Sequence, residues 1–246
     1  MITPMPSYHG EVKLLYKVTE TPTIRSYFFE RPNGFSFLPG QFVVIKLHNF
    51  PGSLKESLHQ FSISSSPLDD YIAISTQVLG RNSSFKDSLD SLKQGDQVSL
   101  SGPNGSFTIN GTSHVIVMIA GGVGVTPFRS MIRYLSSKSF DGKVALLHSS
   151  RVFEEVLFYD EIENIKQKVK WLETYRFLTR DERQMPGFMS GRLDSQRLQT
   201  ILASYTPDEV LVSGPPAFVE TITTALQNDL KLEQDKVKTE KFLGYQ

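Results

Sequence analysis

Residues 114–135 read HVIVMIAGGVGVTPFRSMIRYL, and this stretch decides the fold class of the chain. Its first part, residues 115–120, is a continuous apolar run, which predicts a strand buried on both faces. Gly121 and Gly122 end the run, and Gly124 follows them. Glycine lets the backbone turn sharply and lets a ligand come close to it.

A helix is predicted directly after these glycines. Thr126 is expected to be its N-cap and Pro127 its first residue. Apolar residues then recur at helical spacing, at Phe128, Met131, Ile132 and Leu135. A strand, a glycine turn and a helix together aim free backbone N–H groups at an anion, usually a phosphate. The alternative is a plain tight turn, since the segment is neither the six-residue dinucleotide fingerprint nor a Walker loop.

Composition excludes several classes of function. The 246 residues allow one large domain or two of ordinary size. Lysine plus arginine equals aspartate plus glutamate, at 26 each, so no basic surplus points to nucleic acid. The sequence has no cysteine, which excludes disulfides and cysteine-ligated clusters on this chain, and its five histidines lack the spacing of metal ligands. No apolar run reaches the length of a membrane span and residues 1–10 lack a signal-peptide core, so a cytoplasmic protein is expected.

The pattern changes near residue 110. Before it, short strands alternate with turn residues and predict a small antiparallel β-barrel, with a last strand at residues 107–109. One helix interrupts this barrel, opened by Ser83 and Ser84. After residue 110, strands and helices alternate, which predicts a parallel sheet covered on both faces. The expected domains are therefore a barrel at 1–110 and an α/β domain at 111–246.

Four more segments carry motif-like residues. They are HQFSISSSP at 59–67, GRNSS at 80–84, SGPP at 213–216 and EKFLGY at 240–245. With the glycine turn, they resemble the ferredoxin–NADP(H) reductase-like family of flavin-dependent reductases, in the family's order and over nearly the whole chain. The resemblance implies a flavin-binding β-barrel domain followed by an α/β Rossmann-like NAD(P)-binding domain.

For FAD, the resemblance implies a site built on residues 59–62. His59 stands where the family has an arginine that binds the flavin phosphates, Phe61 where it has a tyrosine on the isoalloxazine, and Ser62 where a hydroxyl bonds flavin N5. The histidine leaves FAD against FMN open, and Arg81 or Lys55 is the alternative source of charge for the phosphates. Further FAD-binding residues are expected at Gln60, Ile63, Ser64, Thr76, Gly80, Arg81, Asn82, Ser83 and Ser84.

For catalysis, the resemblance implies a set drawn from both ends of the chain. Ser62 and Phe242 would contact the flavin, while Ser213, at a cysteine position of the family, and Glu240 would border the nicotinamide. The remaining coenzyme-binding residues are expected at Gly121, Gly122, Gly124, Thr126, Pro127, Gly214, Pro215 and Tyr245.

The sequence favours NADPH over NADH. The 2′-phosphate needs cations, and the planar fork of arginine matches a phosphate. Arg151 follows the second strand of the α/β domain, Thr179 and Arg180 follow the third, and Arg192 comes next. Glu154 and Glu155 lie close enough in sequence to keep NADH open.

The expected function is an FAD-dependent oxidoreductase. It would transfer hydride from NADPH or NADH to flavin N5 and pass electrons to a separate acceptor, such as ferredoxin, flavodoxin or an oxygenase or haem partner. Two alternatives remain, a non-catalytic flavin- or nucleotide-binding regulator and a free flavin or ferric reductase. No metal ligand set is expected, and the chain would be a monomer or a homodimer.

Overall fold

The computed structural model describes residues 7–48, 50–79 and 83–242. Two six-stranded sheets follow one another along the chain. The first is antiparallel throughout, with the order β4-β3-β6-β1-β2-β5. Its strands are β1 Tyr8–Thr19, β2 Ile24–Glu30, β3 Phe42–Leu47, β4 Leu58–Ser62, β5 Tyr71–Gln77 and β6 Gln97–Asn104.

The first sheet curls into a nearly closed barrel. Its two outermost strands, β4 and β5, meet through a bridge between Ile63 and Ile74, and the Ser64 N–H donates to the Ala73 carbonyl at 2.8 Å. Helix α1, Ser84–Ser91, covers one end with buried apolar side chains. The barrel interior is filled by side chains that include Leu14, Tyr27, Phe29, Ile45, Ile72 and Leu100. The predicted antiparallel barrel is confirmed.

The second sheet is parallel throughout, with the order β10-β9-β8-β7-β11-β12. Its strands are β7 Val115–Gly121, β8 Lys143–Ser150, β9 Leu172–Leu178, β10 Met189–Ser190, β11 Glu209–Gly214 and β12 Val237–Lys241. Its helices are α2 Thr126–Ser136, α3 Tyr159–Lys166, α4 Ser195–Leu202 and α5 Pro216–Thr224.

Both faces of this sheet are covered, as the sequence predicts. On β7, Ile116 and Met118 lie in one apolar core with residues of α2 and α3. Val117 and Ile119 point the other way, into a second core with residues of α4 and α5. The central strand is therefore buried on both sides, which explains its unbroken apolar sequence. None of the helices in the part of the chain that the structure describes is long and apolar enough to cross a membrane.

Two local predictions are wrong. Residues 107–109 form no strand, because the chain here crosses from the barrel to the second sheet. Phe107 instead packs its ring 5.9 Å from that of Phe128, and the Thr108 carbonyl accepts a bond of 2.7 Å from Lys238 Nζ. Strand β2 was not predicted. Ser26 and Phe28 on its outer face are buried like the residues on its inner face, so polar and apolar residues do not alternate along it.

Thr126 is not the N-cap of α2. A 3₁₀ turn, Gly122–Val125, runs directly into the helix, so Val125 holds the cap position and Thr126 is already helical, with φ −57° and ψ −49°. Pro127 is consequently the second helical residue, and both side chains are buried. The helix starts one residue early because the turn before it is itself helical.

Candidate active site

A cleft of about 460 Å³ opens between the barrel and the carboxyl edge of the parallel sheet. The sheet contributes residues 121–123 after β7, 149–151 at the end of β8, and 179–180 after β9. The barrel contributes Ile24 and Gln77. Ligands of open α/β sheets bind at this edge, so the cleft is the first candidate for a nucleotide site.

The glycines of the turn are required by close packing. A Cβ on Gly124 would lie 2.3 Å from the Ser213 carbonyl oxygen, and one on Gly121 would lie 2.7 Å from the Phe218 ring. Gly122 has φ +54°, a backbone conformation that favours glycine. Gly121 and Gly122 line the cleft, whereas Gly124 seats the turn against β11. The structure therefore brings the predicted glycines together, and they differ in whether they line the cleft or pack against β11.

The three predicted arginines meet at one end of the cleft. Arg151, Arg180 and Arg192 all line it, beside Thr179. The Arg180 N–H donates to the Arg151 carbonyl at 2.8 Å, which holds the two loops together. None of the three guanidinium groups forms an ion pair with another described residue. Three uncompensated cations in one cleft favour a phosphate ligand.

The two neighbouring glutamates differ in position. Both Glu154 carboxylate oxygens accept bonds of 2.8 Å from Arg183, which also pairs with the buried Asp181. The Arg183 guanidinium holds the pKa of Glu154 below its usual value. Glu155 lines the cleft. Among the described residues that line the cleft, Glu155 is therefore the one acidic side chain.

Ser62, Ser213 and Glu240 converge where the barrel meets the parallel sheet. Ser62 Oγ donates to Glu240 Oε2 at 2.8 Å. Glu240 on β12 lies opposite Ser213 on β11, which in turn lies opposite Ala120 on β7. Burial raises the pKa of Glu240 to about 7, against the lowering effect of the bond from Ser62. The Ser213 side chain is fully buried, and its Oγ has no hydrogen-bond partner among the described residues.

Phe242 follows β12, and its N–H donates to the Gly214 carbonyl at 2.9 Å. Its ring packs against the apolar core on the α2 side of the sheet. Gly214 has φ +151°, and a Cβ there would lie 3.1 Å from the Gly121 carbonyl oxygen. Gly214 and Pro215 thus lie beside the glycine turn, with Pro215 lining the cleft.

The predicted FAD residues divide into two groups. His59 stacks on Phe85 with ring centroids 4.0 Å apart, next to the first turn of α1. Its buried Nδ1 makes no hydrogen bond of good geometry with the described residues. Burial, followed by the charge of Lys86, lowers the pKa of the ring, and the Leu58 backbone acts in the opposite direction. Ser83 caps that helix, its Oγ accepting from the Lys86 N–H at 3.4 Å. Phe61, also buried, lies two residues beyond His59 on the same strand, and Ser84 is the first residue of α1.

The second group faces the protein interior or lies apart. Ile63 is in the barrel core, and Ser64 Oγ lies 3.2 Å from Ser75 Oγ inside the structure. Thr76 is buried on the strand face that carries Ile72 and Ile74. The exposed side chain of Gln60 lies on β4. Gly80, Arg81, Asn82 and Tyr245 lie outside the described residues.

Sequence reasoning missed two residues that attach α2 to the barrel. Arg129 is only 7% exposed, and its Nη1 donates to the Ser64 carbonyl at 3.1 Å. Ser130 Oγ donates to the Ser65 carbonyl at 2.6 Å. Both residues lie off the apolar stripe of the helix, so no periodic signal marks them as buried. They hold the glycine turn and strand β4 at a fixed separation.

Residues 118–224 match the family model of the oxidoreductase NAD-binding domain. The chain is 30% identical over 241 residues to a flavohemoprotein of Bacillus cereus (strain ATCC 10987 / NRS 248), covering 92% of this chain and 59% of that protein. It is 28% identical over 227 residues to the glycine betaine monooxygenase reductase subunit of Chromohalobacter salexigens, covering 89% and 60%. The chain thus spans about three fifths of the length of these curated relatives.

A solved structure shares the fold. The ferredoxin NADP⁺ reductase from Neisseria gonorrhoeae with bound FAD and NADP superimposes with a TM-score of 0.80 at 18% identity, covering 96% of this chain and 99% of that one. The barrel and the parallel sheet therefore occur together, in this order, in a known architecture.

Proposed function

Since the chain belongs to the ferredoxin–NADP(H) reductase-like family, as its motifs predicted, we propose that it is an FAD-dependent oxidoreductase that takes hydride from NADPH and passes electrons to a separate acceptor. One observation carries this proposal. Ser62, Ser213 and Glu240 come from both halves of the chain and meet beside the glycine turn. If the barrel binds the flavin and the α/β half binds the nicotinamide coenzyme, the two rings have to meet at such a junction.

The residues present fit FAD. His59 Nδ1 and Ser213 Oγ are buried polar atoms without partners among the described residues. Buried polar groups are almost always satisfied, so two such orphans in the predicted cofactor region favour a bound ligand with polar atoms. His59, Phe61 and Ser62, with the start of α1 at Ser83, would hold the FAD. The free N–H groups at the start of that helix suit a pyrophosphate.

Bound FAD supplies hydride acceptance at N5 and the release of single electrons. The side chains around it orient and shield the two rings. Glu240 fixes the direction of the Ser62 hydroxyl, and its pKa near 7 lets it hold or release a proton at Oε2 close to neutral pH. Ser213 would border the nicotinamide, and Phe242 would contact the flavin. We count these four as the catalytic set.

NADPH is the proposed coenzyme. Arg151, Arg180 and Arg192 all line the cleft, and we expect the 2′-phosphate to lie beside them. Glu155 is the acidic side chain that would accept a bond from the free 2′-hydroxyl of NADH. Three arginines outweigh one glutamate in charge, so we expect NADPH to bind more tightly.

The proposed acceptor is a haem or oxygenase centre. The two relatives named above are a flavohemoprotein and a reductase subunit of a monooxygenase, and this chain covers about 60% of each. The matched part of each relative therefore leaves room for other segments. These 246 residues have no cysteine to ligate an iron–sulfur cluster, so such a carrier would lie outside them.

Purified protein tests the proposal directly. We expect a flavin absorption band that NADPH bleaches anaerobically, faster than NADH does. Reoxidation is then followed with a haem protein, a ferredoxin, a flavodoxin, free flavin and a ferric chelate. Protein that binds FAD without being bleached by either coenzyme would instead be a regulator, and reoxidation by free flavin or ferric chelate alone would identify a free-standing reductase.

A further inference from the structure

His148 is a buried histidine that the proposed chemistry does not use. It lies on β8, opposite Ala120 on β7 and Arg176 on β9, and is 3% exposed. Its Nε2 lies 3.0 Å from the carbonyl oxygen of Gly122, in the glycine turn. Ser150 Oγ lies at the edge of hydrogen-bond range, 3.5 Å from the same nitrogen. The ring thus contacts the glycine turn, whose residues Gly122 and Val123 line the cleft.

The direction of the bond to Gly122 follows from its chemistry. A carbonyl oxygen only accepts, so Nε2 carries the proton and donates. The charged group that faces the ring from β9 is Arg176, which is paired with Glu163 of α3 at 2.5 Å. Burial, reinforced by the Arg176 charge, lowers the pKa of His148 to about 4, although the bond to Gly122 acts in the opposite direction. At neutral pH the ring is therefore a neutral donor in one defined tautomer.

The bond also fixes the next peptide group. Because a peptide is planar and trans, the Val123 N–H points opposite to the Gly122 carbonyl. The carbonyl points down to His148, so this N–H points up toward the cleft that Val123 lines. Gly122 and Val123 begin the 3₁₀ turn, and the first N–H groups of a helical turn have no partner within it. Within the turn, the Val123 N–H therefore has no partner, and it can bind an anion in the cleft.

Apart from the bond to His148, this peptide is held by the single 3₁₀ turn that it begins, and short 3₁₀ turns have poorer hydrogen-bond geometry than α-helices. Gly122 has φ +54°, and glycine populates positive and negative φ about equally. A rotated peptide would turn its carbonyl oxygen toward the cleft and repel an anion there. We propose that His148 is a positioning residue for the coenzyme pyrophosphate, because it holds the Gly122 carbonyl and thereby aims the Val123 N–H into the cleft. This inference rests on the proposed function, since the proposed coenzyme supplies the pyrophosphate.

The test compares two ligands in FAD-loaded protein by titration calorimetry. NADP⁺ carries the pyrophosphate, whereas adenosine 2′-monophosphate reaches only the arginine end of the cleft. His148→Leu should weaken NADP⁺ binding about tenfold, the size of one lost bond to a charged group, and leave adenosine 2′-monophosphate within about twofold. His148→Gln should restore NADP⁺ binding, because the glutamine amide also donates at that distance from the backbone.

Matched variants separate positioning from folding. His114→Leu removes an exposed histidine at the opposite end of β7 and should bind both ligands as wild type does. If His148→Leu does not fold, His148→Asn replaces it, since its amide is too short to reach Gly122. Unchanged NADP⁺ binding in the leucine or asparagine variant would overturn this inference but not the proposed function. An equal loss of affinity for both ligands would do the same. Wild type that binds neither NADP⁺ nor NAD⁺ would overturn the proposed function and the inference together.

Discussion

Ser62 and Glu240 are joined by a hydrogen bond of 2.8 Å, from Ser62 Oγ to Glu240 Oε2, across 178 positions of sequence. The serine ends β4 of the barrel and the glutamate lies on β12 of the parallel sheet. The bond therefore ties the two halves together at the place where the proposed flavin and nicotinamide meet. Burial raises the pKa of the Glu240 carboxyl to about 7 at that place, although the bond from Ser62 lowers it.

Glu240→Gln should change how stability depends on pH. The folded protein keeps the Glu240 proton up to pH of about 7, whereas the unfolded chain loses it near the usual value of 4.5. Wild type therefore loses stability as pH rises through this window, and the neutral glutamine does not. The free energy of unfolding of Glu240→Gln minus that of wild type should increase between about pH 4.5 and pH 7.5. Urea denaturation of flavin-free protein measures this difference in the free energy of unfolding, and the exposed Glu182→Gln serves as control. A difference that stays constant with pH would contradict the shifted pKa of Glu240.

Arg180→Ala should discriminate between the coenzymes. Losing one bond to a charged phosphate oxygen costs roughly 1.5–3 kcal/mol, so KM for NADPH should rise at least about tenfold. KM for NADH should stay nearly constant, because NADH has no 2′-phosphate. Steady-state kinetics with both coenzymes test this, with the exposed Lys170→Ala as a control for loss of charge outside the cleft. Equal increases in both KM values, or a tenfold preference of wild type for NADH, would remove the role of Arg180.

His59 should make flavin affinity depend on pH. In the protein without flavin, burial and Lys86 lower the pKa of this ring, and a neighbouring phosphate would favour its protonated form. Flavin affinity should then be highest at low pH and fall by about tenfold or more as pH rises through the pKa of the bound state. His59→Arg should flatten the profile and bind better at high pH. Flavin dissociation constants measured between about pH 5.5 and 8.5 test whether His59 binds the phosphates. A flat wild-type profile, with no tighter binding in His59→Arg, would indicate that Arg81 or Lys55 binds them instead.

Gly124→Ala should destabilise the fold. The new Cβ would lie 2.3 Å from the Ser213 carbonyl oxygen, and a β-strand backbone cannot move away as a flexible side chain can. We expect a loss of about 1–3 kcal/mol or more and a melting temperature lower by several degrees. Gly111→Ala is the matched control, because its Cβ would have no neighbour within 4 Å. Similar melting temperatures for the two variants would show that the glycine turn does not need this contact.

Local patterns along the chain were enough to predict the fold class and to name the candidate site residues. The run at 115–120 is apolar throughout because β7 is buried on both faces. A Cβ on Gly121 or Gly124 would lie 2.7 Å or 2.3 Å from a neighbouring atom, whereas Gly122 has a φ of +54° that favours glycine. The motif residues from His59 to Glu240 kept their family order, so the resemblance could be recognised without coordinates.

Which of these residues meet depends on the packing of the folded chain. The strand order β10-β9-β8-β7-β11-β12 places Ser213 beside Glu240 and His148 beneath Gly122, and no spacing along the chain encodes either contact. The protonation state of buried groups also depends on the folded structure. A carboxyl shifts its pKa to about 7 and a histidine to about 4 because folding removes water around them, and burial is a property of the packed molecule and not of a residue type.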